Sequence, residues 1–389
     1  MDAPSTSDTT APTAEPQADE AKPLDAPSNR KAPFPRGFLD TISTGWAERP
    51  DVLPDPREQA AWAARRRARV SETFPGQRVV VPAGGLKQRS NDTDYPFRAH
   101  SAFAHLTGWG RDAEPDAVLV FEPRDEGHEA VLYFRERADR TTAEFYSDAA
   151  VGEFWIGPRP SLAAVAADLG IRTAHLDDFV PAESERVLDE DEELTRFVSE
   201  LRLVKDAWEV DELQEACDIT TLGFEDAVRE WPQVLEHGER WLEGTFFRRA
   251  RAMGNDLGYD SIVGAGSHAT TLHWIDNTGP VLPGQLILLD MGVEGRNLYT
   301  ADVTRTLPVD GTYTDVQRRV YTAVLDAADA AFAVARPGTK FTDIHAAAMV
   351  VIAERLGEWG LLPGTAEESL DPEGQFHRRW MVHGTSHHL

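Results

Sequence analysis

The sequence predicts an α/β protein of two domains behind a polar leader. Three observations carry that expectation. Short β-branched runs alternate with helical stretches as far as about residue 200, and a helix-capping signature then opens a series of amphipathic segments. The third is length, because 389 residues exceed what one core usually serves, ~250–300 residues being the common limit.

From Met1 to about Arg36 the chain is Pro, Ala, Ser, Thr and Asp with almost no large apolar side chain. Such a stretch buries too little surface to offset the entropy of ordering, so residues 1–36 are expected to form a disordered tail. In residues 37–200 the runs RVVVPAG, DAVLVFEP and EAVLYFRE read as strands and SLAAVAADLG as a helix, which gives an N-terminal α/β domain. The acidic run from Glu183 to Leu194 reads as a solvated helix face or linker.

The second domain is expected over residues 201–389. Asp206 and Glu209 have the spacing of a capping pair, ahead of Leu213, Ala216, Cys217, Thr220 and Phe224 on one helix face. Thr314 and Gln317 repeat the signature before a helix whose apolar positions are Val320, Val324, Ala328 and Phe332, stopped by Pro337-Gly338. A further helix carrying Ile344, Met349, Ile352 and Leu356 follows Thr342.

Charge narrows the function. With 39 basic against 66 acidic residues the formal charge is -27, which repels phosphate backbones and anionic lipid, so neither nucleic acid nor membrane is an expected partner. No stretch approaches the ~18 apolar residues of a membrane span, and no basic-then-apolar secretory leader is present. The single Cys217 cannot form an internal disulfide, and the cytoplasm is the expected location. The glycines of SIVGAGSHAT lack the spacing of a phosphate loop and precede a His-bearing, strand-like segment.

Asp290 ends the apolar run QLILLD, where a carboxylate needs something to compensate its burial. If LILLDMGV and LYTADVTRTL are hairpin arms pairing about residue 296, Asp290 lies directly opposite Asp302. Two carboxylates so close take up either a proton or a divalent cation. The alternative is that one caps a turn and the other pairs with Arg305. His383 and His387 are four apart, but Gly-Thr-Ser between them makes a poor helix, and WMVHGTSHHL reads better as a strand with both on one face. His273 lies on another β-like segment just before a turn.

Taken together, Tyr259-D-S-I-V-G-A-G, T-L-His273-W, L-L-Asp290-M-G, T-A-Asp302-V-T-R-T and M-V-His383-G-T-S-His387 resemble the aminopeptidase P (Xaa-Pro aminopeptidase) group of the pita-bread metallopeptidases. Five separated segments agree in order and spacing. The stretch from Asp94 to Trp109 is similar to the N-terminal domain of those enzymes, and Arg202-L-V-Lys205 to the junction into their catalytic domain.

The resemblance implies a creatinase-like N-terminal domain followed by a pita-bread catalytic domain of two pseudo-symmetric halves. It further implies two divalent metal ions, manganese by preference, with Asp290 chelating one, Asp302 bridging both and His387 binding the second. A metal-bridging water is the implied nucleophile, His273 would lie near the scissile amide, and His383 would line the proline pocket. The substrate would be a peptide with proline at the second position, and the enzyme a homo-oligomer, dimer or tetramer.

In that family two glutamate ligands and a further histidine follow the segment corresponding to Leu389, so an incomplete catalytic domain lacking its C-terminal part is expected, with weak metal binding and little hydrolysis. Prolidase, cutting only dipeptides, is the alternative within the fold. A non-catalytic pita-bread protein that binds a peptide or partner is the alternative outside enzymes.

Overall fold

The three β-branched runs form the strands Val79–Pro82, Val118–Pro123 and His128–Phe134 of a computed structural model that describes residues 35–388. Arg172–His175 and Arg186–Val187 complete a five-stranded sheet. Its inner pairs are antiparallel and each outer strand joins parallel. Successive residues of a strand point to opposite faces, so the unbroken apolar runs feed two cores. Val79, Val81, Leu119, Phe121, Leu132 and Phe134 face the larger one, while Val80, Val118 and Val120 meet Tyr133, Phe179 and Val187 on the other side. The helix Leu162–Leu169 is capped by Ser161 and closed by left-handed Gly170, as SLAAVAADLG predicts.

The acidic run is more than a solvated face. It contains the strand Arg186–Val187, and Asp191 caps the helix Glu192–Leu201. The Arg78 guanidinium, flanked by Glu122 and Glu185, supplies the counter-charge that lets these acids approach the sheet.

Asp206 and Glu209 make the expected reciprocal cap on the helix Ala207–Arg229, with bonds of 3.0 and 2.9 Å. Gly223 lets the helix Glu239–Met253 lie against it, since a Cβ there would stand 2.6 Å from the Phe246 ring. These helices cover an antiparallel sheet of Ile262–Ala265, Leu286–Met291 and Val303–Pro308, and Ile219, Phe246, Val263, Ile287 and Leu289 share the core between them.

Thr314 and Gln317 also form a capping box, on the helix Asp315–Val334. The buried face differs from the expected one. Val320, Val324 and Phe332 are exposed, Phe332 by 76%, and Ala323, Ala327 and Ala331 are buried instead. Ala327 and Ala331 pack with Ala348 and Met349 of the helix Phe341–Glu358, and small side chains permit that close approach. The latter helix starts at Phe341, just ahead of Thr342.

The described chain divides into two compact units. The smaller comprises the described residues up to Pro50 together with Leu86–Pro96 and Glu136–Pro160. In it Arg49 reaches buried Glu153 at 2.5 Å, and Glu153 also accepts from the amides of Ala138 and Arg159. The larger unit holds everything else, so the expected boundary at residue 200 falls within it, between its two main apolar clusters. The expected tail over residues 1–36 lies outside the described residues except for Pro35 and Arg36, where the helix Arg36–Ile42 begins.

Candidate metal centre

The hairpin that carries both aspartates pairs one residue later than expected. Asp290 lies opposite Thr304, not Asp302. The turn is the three-residue loop Arg296–Leu298, in which the Gly295 amide bonds the Tyr299 carbonyl at 2.7 Å and Leu298 is left-handed at φ 69°. A left-handed third residue is the usual way such loops close, and it centres the turn on Asn297. The register continues through Val293, whose carbonyl accepts from Ala301 at 3.1 Å, and Glu294, which bridges to Thr300. Asp302 is therefore the diagonal neighbour of Asp290 on one face.

Tyr259 closes that diagonal. The amide of Gly258 bonds the Gly292 carbonyl at 2.8 Å, and the next residue sends its hydroxyl to Asp290 Oδ1 at 2.7 Å and Asp302 Oδ1 at 2.9 Å. Burial first, and then the two carboxylates, raise the Tyr259 phenol well above its ordinary pKa, so it stays protonated and donates. Sequence reasoning included Tyr259 in a motif but gave it no role, and its adjacency to the aspartates exists only in the folded chain.

His387 completes the group. Its Nε2 lies 3.0 Å from Asp302 Oδ2. Residues 381–388 do not form the expected strand: Ser386 is left-handed at φ 63°, and among the described residues no strand runs alongside to supply a ladder. The segment is tethered instead by Thr385, whose hydroxyl and amide lie 2.9 and 3.1 Å from His345 Nδ1. Burial first, and then the neighbours His377, Arg378 and His383, lower the His345 pKa and favour the neutral ring that can accept from that amide. Sequence reasoning gave His345 no role.

His273 and His383 stand apart, and no hydrogen bond or ion pair joins either ring to the aspartates among the described residues. His273 is exposed in a turn, not on a strand, because the 3-10 turn Gly266–Thr270 intervenes after Ile262–Ala265. His383 Nδ1 contacts the Gly384 carbonyl at 2.7 Å. The loop of His273 is organised by buried Glu239, which accepts from the Ala265 and Gly279 amides at 2.8 and 2.6 Å and from Trp274 Nε1 at 2.9 Å, with His268 Nδ1 also at 2.9 Å. Burial pushes the Glu239 carboxyl up, but these donors outweigh it and hold the pKa below the ordinary range.

The donor chemistry fits a hard divalent cation, since two carboxylates share one proton donor and an imidazole sits on the common carboxylate. Their spacing is open. Among the described residues no group of three or more His, Cys, Asp or Glu side chains closes on a single point. The capping and Arg305 alternatives do not hold, because Asp302 faces His387 while Arg305 Nη1 donates to the Thr304 carbonyl.

Comparison with known proteins adds the family. The profile of metallopeptidase family M24 matches residues 211–389, and that of the aminopeptidase P N-terminal domain matches residues 63–197. The chain is similar to Xaa-Pro aminopeptidase 1 of Streptomyces coelicolor, 47% identical over 374 residues, covering 90% of this chain and 75% of that one. Xaa-Pro aminopeptidase 2 of the same organism is 49% identical, with 90% and 77% covered. Among solved structures, the low-pH form of Escherichia coli aminopeptidase P superposes with a TM-score of 0.72 at 26% identity, covering 85% of this chain and 80% of that one.

Proposed function

Since this chain belongs to the Xaa-Pro aminopeptidases of metallopeptidase family M24, we propose that Asp290, Asp302 and His387 are metal ligands serving cleavage before a penultimate proline. The observation that carries the assignment is the diagonal carboxylate pair joined through Tyr259, with His387 on Asp302. Two divalent ions are proposed, manganese by preference, because carboxylates with one imidazole suit a hard ion. When bound they supply Lewis acidity to water and to the scissile carbonyl.

The chain's own residues do the rest. Tyr259 keeps the carboxylates turned toward each other, and His387 restrains the free oxygen of Asp302. His273, on the loop pinned by Glu239, is proposed to hydrogen-bond the substrate beside the scissile amide, and His383 to line the proline pocket. Both roles rest on the positions these residues share with the family's motifs.

The partner is a peptide, and the homo-oligomer of two or four chains remains part of the proposal. Among the described residues no helix is long and apolar enough to cross a membrane. The lone Cys217 supports a reducing cytoplasm as the working location.

The test is manganese titration of the 389-residue chain followed by assay of alanine release from Ala-Pro-Ala. Uptake that Asp290→Ala and Asp302→Ala both abolish supports the ligand set. No uptake, or uptake unchanged in both variants, overturns it. Cleavage of Ala-Pro with Ala-Pro-Ala spared would make the enzyme a prolidase.

A further inference from the structure

A cavity of about 390 Å³ opens beside the hairpin tip, walled by the helix Ser101–Thr107, the chain from Ser199 to Leu213, and Asn297–Thr300. Tyr259, Asp290, Asp302 and His387 do not line it, although His388 does. In a protein of charge -27 its lining inverts the sign: Arg66, Arg98, Arg202 and Lys205 against the single carboxylate Glu209.

Two of these cations are committed. Arg66 holds Asp206 at 2.6 Å and Arg98 holds Glu294 at 2.6 Å. Arg202 and Lys205 are not, having no carboxylate within ion-pair distance among the described residues. The nearest bonds of Arg202 are weak ones, 3.3 Å to the Val198 carbonyl and 3.4 Å to Ser199 Oγ. Burial lowers the Arg202 pKa and outweighs the longer-range attraction of Asp189.

His105 is 7% exposed, and its enclosed Nε2 lies 3.3 Å from Glu209 Oε1, so it is committed to that carboxylate. Opposite, Trp208, Leu203 and Leu213 supply an apolar wall.

We propose that this cavity binds a small organic anion, a carboxylate or phosphate on a flat apolar body. Arg202 and Lys205 hold the oxyanion, and the body lies along Trp208. Such a division, a few convergent polar groups on an otherwise apolar wall, is the common plan of small-molecule sites.

The experiment is isothermal calorimetry in low-salt buffer with EDTA, using inorganic phosphate, benzoate and phenyl phosphate as probes. Saturable one-to-one binding is expected for phenyl phosphate or benzoate, and which of the two binds tighter identifies phosphate or carboxylate as the recognised head. Arg202→Met/Lys205→Met should weaken it at least tenfold, and Arg124→Met, at an exposed cation outside the cavity, should leave it unchanged. Circular dichroism checks that the double variant folds; Lys205→Gln, which leaves Arg202 in place, serves as the second variant and should weaken binding severalfold. No saturable binding of any probe, or equal binding by the variants, overturns the proposal. Because EDTA removes metal and no peptide is present, failure here leaves the peptidase assignment untouched, and failure of that assignment leaves this one.

Discussion

Tyr299 donates its hydroxyl to Glu209 across 2.9 Å, tying the stem of the aspartate-bearing hairpin to the capped first turn of the helix Ala207–Arg229. Glu209 serves several neighbours there. The Asp206 amide bonds it, Arg66 lies 3.5 Å away, and His105 flanks it. Burial raises the Glu209 carboxyl, but those neighbours outweigh it and hold the pKa at about 2, below its ordinary 4.5.

A carboxyl lowered on folding stabilises fully above its unfolded pKa, and that contribution is lost as pH falls through the folded value. Glu209→Gln should therefore lower unfolding free energy by about 2 kcal/mol at pH 7, with the gap to wild type closing between pH ~4.5 and ~2. Urea denaturation at a series of pH values reads this directly, and a gap independent of pH would remove Glu209 from the account.

Removing the Tyr259 hydroxyl leaves two carboxylates facing each other with no shared donor. Tyr259→Phe should cost about 1–3 kcal/mol without metal. It should also enlarge the rise in melting temperature on adding manganese, because the cation then relieves more repulsion. Calorimetric melting with and without Mn2+ decides it, and equal shifts in both proteins would mean that Tyr259 does not neutralise the pair.

Glu239 is fully buried and satisfied by donors from Ala265, His268, Trp274 and Gly279. Glu239→Gln presents an amide donor to donors, and about 3 kcal/mol of stability should go with it. Hydrogen exchange should rise first in residues 266–279, the loop of His273. Exchange that rises evenly through the larger unit would show that Glu239 serves global stability and not this loop.

The two faces of the helix Asp315–Val334 should respond oppositely. Phe332→Ser should alter monomer stability by no more than about 0.5 kcal/mol, whereas Ala327→Asp, burying an unpaired charge, should cost more than about 3 kcal/mol. Chemical denaturation of the two variants compares them. A large loss from Phe332→Ser would mean that this face is covered in solution.

The sequence carries local information well, and the misses have one physical origin. Asp206 with Glu209 and Thr314 with Gln317 are complete instructions, because a capping box needs only residues three apart. The diagonal of Asp290 and Asp302 was nearly readable, but the turn closes on Leu298 in a left-handed conformation that glycine or asparagine would have signalled and leucine does not. Val320, Val324 and Phe332 mislead because apolar periodicity favours large side chains, while contact between helices here favours alanine. Tyr259, Glu239 and His345 find their partners only after folding, across separations no local pattern encodes.

Asn297 is gripped from two sides, by Gln59 at 3.1 Å and by Glu212 at 3.0 Å, and the first of these lies 238 residues earlier. On the ribosome Gln59 and the sheet behind it emerge long before the hairpin, so the receiving surface can be built when the tip arrives. The order of synthesis thus matches the order in which the pieces are needed. A circular permutant opening the chain between the helices Glu192–Leu201 and Ala207–Arg229 would reverse it, leaving the aspartates to wait for their scaffold.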